Sequence, residues 1–174
     1  VLANAPITAF AIARATDSAF IRVNQWANAY IANEGFMEGR AAQAMRFRSA
    51  LRGEGIKVFA DSHVKHGSHS ITSDRSIGEL TRDLDFFDVD AVIATGHRTG
   101  DSATMEEIEE VADATSLPVL VGSGVDADNI AQILTRASAV IVASSLKKDG
   151  VWWNPVDPEK VRRFVTAATP ALET

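Results

Sequence analysis

Short runs of apolar, β-branched residues recur along the chain. Each ends in a polar or glycine-rich turn, and a longer segment of helical spacing follows. The runs are AFIRVN (19–24), IKVFAD (56–61), VDAVIAT (89–95), LPVLVG (117–122) and SAVIVAS (138–144). The segments between them predict helices over 6–16, 38–52, 74–87, 104–115, 127–135 and 157–168. In 38–52, Ala41, Ala44, Met45, Phe47 and Leu51 recur at spacings of three and four, an amphipathic stripe. Thr104-Met105-Glu106-Glu107 reads as a capping box, and Asp157-Pro158 as an N-cap before a proline in the first turn. Strands alternating with helices predict a parallel sheet with right-handed crossovers. Near-continuous apolar strands are those buried on both faces. Two architectures meet this pattern, an open doubly wound sheet and a (β/α)8 barrel, and both bind ligands at the carboxyl ends of the strands.

The polar strand endings therefore share one rim. Alternation puts Arg22 and Asn24 on one face of the first run, and Phe59, Asp61 and His63 on one face of the second. An arginine inside an apolar strand is costly unless paired, which makes Asp61 the expected partner of Arg22. The segment VFADSHVKHGSHS (58–70) holds three of the four histidines. Asp61, His63 and His66 are available to a metal, but their spacing in a strand-to-loop region does not converge as it would on a helix, so no metal is expected. An acid–base or anion-binding role for Lys65 and His66 fits better, because both meet a negative substrate and histidine titrates near neutrality. A solvated polar loop is the plain alternative.

Two further turns point to an anion. Gly122, Ser123 and Gly124 precede the helix expected from Ala127, and Ser144 and Ser145 end the last strand before Lys147 and Lys148. Glycine-rich turns let backbone amides approach a phosphate, and consecutive turns can hold one group between them. Thr95, Gly96 and Thr99 of TGHRTG (95–100) add a third rim position, or form a tight turn only.

Composition narrows the picture. The 174 residues, 46% hydrophobic, suit one domain with a real core. A net charge of −6 without a run of like charges gives no nucleic-acid footprint. The absence of cysteine removes disulfides, thiolate metal ligands and thiol nucleophiles. No apolar stretch reaches the roughly 18 residues of a membrane span, so a cytoplasmic protein is expected.

Taken together, FIRVN, the ADxxVKH segment around Asp61, TGxxTG at 95–100, VGSG at 121–124 and IVASSLKKDG resemble the BtpA/SgcQ family across nearly the whole chain. The resemblance implies a phosphate-binding (β/α)8 barrel, here incomplete: VLANAP would be the tail of the third strand and the five runs the fourth to eighth. The turn after that third strand keeps only Asn4, flanked by Ala3 and Ala5, where the family is more polar. One branch of the family is named for a requirement in photosystem I accumulation; another is associated with sugar-utilisation genes and presumed enzymatic. The resulting expectation is an enzyme of unknown reaction acting on a small phosphorylated or phosphate-requiring substrate, a sugar phosphate or nucleoside. Ser123, Gly124, Ser144 and Ser145 hold the phosphate in that reading, and Asp61, Lys65, His66, Asn24 and Arg22 supply proton transfer and orientation. A non-catalytic assembly factor is the rival. The sequence leaves any cofactor unknown. Five strands cannot close a barrel, so upstream sequence or another chain is expected to supply the rest, and the apolar edges predict a homo-oligomer.

Overall fold

The computed structural model describes residues 4–96 and 102–172. Helix α1 (Pro6–Thr16) precedes strand β1 (Phe20–Val23), and β4 (Lys57–Asp61), β5 (Ala91–Ala94), β6 (Val119–Val121) and β7 (Ala139–Val140) follow as parallel neighbours in the order β1-β4-β5-β6-β7. Helices α2 (Ala41–Ala50), α3 (Ile77–Phe86), α4 (Met105–Ala114), α5 (Ile130–Ile133) and α6 (Pro158–Leu172) connect or follow them.

Strand alternation sorts the side chains into two layers. Ile21, Val23, Val58, Ala60, Val92, Ala94, Val119 and Val121 point to one face. That face packs against Phe10, Ala44, Leu84, Ile108, Val111, Ile130 and Ala168 in one continuous core, so every helix contributes to the same side. Phe59, Ala91, Ile93, Leu120 and Ala139 form a separate small cluster on the other face. Each successive strand of the parallel sheet is added in one direction, and no helix among the described residues covers the second face. A doubly wound sheet reverses direction at a switch point and carries helices on both faces. The architecture is a mixed α/β fold wound one way only.

The helix starts follow their caps. Thr104 and Glu107 form the expected capping box, Ser76 and Glu79 form a second, and Asp157 accepts the amide of Glu159 at 2.9 Å where α6 begins at Pro158.

Three expectations need correction. The helix expected from Glu38 starts only at Ala41 as α2, because Glu38 ends an antiparallel hairpin, β2 (Ala29–Ala32) and β3 (Gly35–Glu38), in a stretch to which no element was assigned. The helix expected over 127–135 shrinks to α5, because Asp126 Oδ1 accepts the amides of Asp128 and Asn129 and holds a turn there. The strand expected over 138–144 pairs only at Ala139–Val140; Ser144–Leu146 is a 3-10 turn. β7 is an edge with no ladder partner on its outer side among the described residues, so pairing does not extend it. The strand tail read into residues 1–3 lies outside the described residues.

Candidate functional site

The carboxyl ends of β1 and β4 carry a buried ion pair. Arg22 Nε and Nη2 donate to Asp61 Oδ1 and Oδ2, both at 2.9 Å. The Asp61 side chain is fully buried, while 31% of the Arg22 side chain reaches solvent. The fork is the bidentate geometry in which guanidinium and carboxylate match best. Burial raises the Asp61 pKa above the ordinary carboxylate value, against the Arg22 hydrogen bonds and the charges of Arg22 and Lys65. Asn24 hydrogen-bonds Tyr30, whose pKa burial raises.

Beyond Asp61 the chain turns over the sheet and is held at both sides. Thr95, buried, donates its hydroxyl to the His63 carbonyl at 3.0 Å. Ile31 of the hairpin exchanges two backbone hydrogen bonds with Ser68, at 2.9 and 2.8 Å. His69 stacks between Tyr30 and His63, with ring centroids 5.2 and 3.7 Å away. The hairpin, in a stretch to which the sequence assigns no element, thus clamps the loop that carries Lys65.

Lys65 reaches across to β6, where its amine donates to Ser123 Oγ at 3.3 Å. Burial lowers the Lys65 pKa below the ordinary amine value, the Arg22 charge adds to this, and Asp61 opposes it. A cavity of about 290 Å³ opens beside this contact. Its walls include Lys65, Gly122, Ser123, Gly124, Ser144 and Ser145, so the two turns and the lysine come together. Ser145 Oγ donates to the Val125 carbonyl at 2.6 Å and ties the turns to each other.

Glycine is required at both ends of the first turn. A Cβ on Gly122 would stand 2.8 Å from the Ile93 side chain and 3.4 Å from Arg22 Nη2. Gly124 has φ +64, and a Cβ there would stand 2.3 Å from the Ser102 amide nitrogen. The Gly124 carbonyl accepts from Ser102 Oγ at 2.7 Å and Asn129 Nδ2 at 2.9 Å. Gly124 therefore packs against protein, and a side chain there would break the turn rather than merely fill the cavity.

Other candidates fall elsewhere. His66 is exposed, at φ 64, and does not line this cavity. Lys65 lines this cavity and His66 does not, so the two do not share its wall. Gly96 is buried at the end of β5, and Thr99 lies outside the described residues. The short α5 leaves the turn without the helix dipole that a longer helix would supply. Sequence reasoning missed Asp126, which also lines the cavity; its Oδ1 is engaged by backbone amides, and the Asp-x-x-Asn spacing to Asn129 was the available signal. No group of three or more metal-ligating side chains converges among the described residues.

The profile of the BtpA family matches residues 1–170. An uncharacterised mitochondrial protein of Caenorhabditis elegans is 39% identical over 165 residues, covering 95% of this chain and 59% of its own. The photosystem I biogenesis protein BtpA of Synechocystis is 34% identical over 179 residues, covering 100% of this chain and 60% of its own. The chain thus spans about three fifths of these relatives. Among solved structures, N-(5'-phosphoribosyl)anthranilate isomerase from Pyrococcus furiosus superposes with a TM-score of 0.57 at 20% identity, over 94% of this chain and 69% of that one. TrpF from Jonesia denitrificans gives 0.54 at 18%, over 97% and 69%. Both are TIM-barrel-type proteins, and the likeness concerns the fold.

Proposed function

Since the chain belongs to the BtpA family, we propose that it is the C-terminal part of a (β/α)8 barrel that acts as an enzyme on a small phosphorylated substrate. The one-directional sheet with helices on a single face supports the barrel reading. The observation that carries the function is the meeting of Lys65 with the Gly122–Gly124 and Ser144–Ser145 turns around one cavity. A phosphate there meets a lysine amine, the hydroxyls of Ser123 and Ser144, and glycine-rich backbone. The Arg22–Asp61 fork stands at the strand ends next to Gly122, where Arg22 Nη2 is 3.4 Å from the position a Cβ would take. The substrate class fits a sugar phosphate or nucleotide fragment, whose remaining atoms would lie over Arg22 and Lys65.

Thermal melting with phosphorylated metabolites tests this reading. A ligand at about 100 times its Kd adds roughly 2.7 kcal/mol and raises the midpoint. Failure of every phosphorylated compound, or equal shifts by unphosphorylated analogues, overturns it. A second reading, an assembly factor, draws on the printed name of the Synechocystis relative. The buried fork gives it no support, because a binding body needs no charge at the strand ends.

A further inference from the structure

The surroundings of Lys65 equip it for more than a contact to phosphate. Among the described residues it makes no ion pair, although Asp61 is close enough to act on its charge. Both carboxylate oxygens of Asp61 are taken by Arg22, and the guanidinium that takes them also disfavours an ammonium beside it. Asp126, the carboxylate on the cavity wall, has an oxygen occupied by two backbone amides. The amine is half-buried, fixed by one contact to a hydroxyl, and opens on a cavity. Desolvation and a neighbouring cation are the two conditions that leave a lysine neutral and nucleophilic.

We propose that Lys65 forms an imine with the carbonyl carbon of a small aldehyde or ketone phosphate whose phosphate lies between the two turns. The inference rests on the phosphate site proposed above. The amine lone pair adds to the carbonyl carbon. One N–H proton passes to the former carbonyl oxygen through Ser123 Oγ, 3.3 Å from Nζ, which gives a carbinolamine. The hydroxyl then leaves with the second N–H proton as water, and the C=N bond forms. Amine and carbonyl give imine and water, with no change of oxidation state. Electron density then drains from the substrate's adjacent C–H or C–C bond toward the imine nitrogen, so the site suits enolisation or carbon–carbon bond chemistry.

Reductive trapping tests the proposal. The chain is treated with dihydroxyacetone phosphate and sodium cyanoborohydride near pH 7, and the secondary amine is located by peptide mass spectrometry. Lys57, Lys147, Lys148 and Lys160 are internal controls. The expected result is labelling of Lys65 clearly above each of them, because its amine is half-buried beside the Arg22 cation and opens on the cavity. Inorganic phosphate should suppress that labelling, and unphosphorylated dihydroxyacetone should label Lys65 more weakly. Equal labelling of the five lysines, or none at Lys65, overturns the imine. If inorganic phosphate still raises the melting midpoint of wild type in that case, the phosphate site stands without the imine. If phosphate produces no shift and no protection, both fall.

Discussion

Replacing Asp61 with alanine removes both acceptors of the Arg22 fork and leaves a guanidinium over an apolar sheet. Hydrogen bonds to charged groups contribute about 1.5–3 kcal/mol each, and breaking a buried pair costs about 3–5 kcal/mol. Arg22 keeps 31% of its side chain in water, so it regains part of its hydration and the lower end applies. The expected loss is about 3 kcal/mol. With a urea dependence of about 2 kcal/mol per molar, the midpoint falls by roughly 1.5 M. Changing both residues together, Arg22→Met with Asp61→Leu, should recover most of the loss, since an apolar pair of similar volume strands no charge. Burial also sets the direction with pH. The folded state holds the Asp61 proton more tightly than the unfolded state does. The carboxyl's contribution is therefore complete below the ordinary value of 3.8 and is lost as pH rises through the raised folded value. The stability gap between wild type and Asp61→Ala should narrow across that window. An unchanged midpoint in Asp61→Ala, a double variant no better than the single one, or a gap that widens with pH would refute the reasoning.

Three more outcomes are expected. Gly124→Ala, at φ +64 and with the Ser102 backbone 2.3 Å from the new carbon, should lower thermal stability by about 1–3 kcal/mol, and an unaltered melt would contradict the turn. Ser145→Ala removes the 2.6 Å bond to Val125 and should cost about 1 kcal/mol in urea unfolding while weakening phosphate stabilisation. Trp26 is fully buried with its Nε1 donating to Phe87, whereas Trp152 and Trp153 are 65% and 70% exposed; acrylamide should quench the latter two and spare a blue-shifted third component.

The fold was legible where the signal is local and periodic. The β-branched runs named the strands of the sheet, and Thr104-x-x-Glu107 and Asp157-Pro158 named two helix starts. The Arg22–Asp61 pair was readable because alternation fixes side-chain facing and an unpaired charge in a strand is costly. The hairpin at AYIANEGFME is not legible from the runs, because its two strands are four residues each and Asn33-Glu34-Gly35 reads as a loop; only Glu38 overlaps the expected helix. Helix α5 was overcalled because Asp126 and Asn129 spend their side chains on the backbone in a turn, a competition invisible to spacing. At the site, the turns and Lys65 were found from residue type, but the separation of His66 was not. Its left-handed backbone at φ 64 lies in the loop that Ile31 clamps at Ser68 and whose His69 stacks on Tyr30, contacts set by the unforeseen hairpin.

The central claim is that one phosphate is held between the two turns with Lys65 at its side, and isothermal titration of inorganic phosphate into wild type and Lys65→Ala tests it most directly. The account predicts saturable binding at a single site in wild type, weakened by about tenfold or more in Lys65→Ala, a loss of about 1.4 kcal/mol or more. Absence of saturable heat in wild type, or equal affinity in the two proteins, would contradict it.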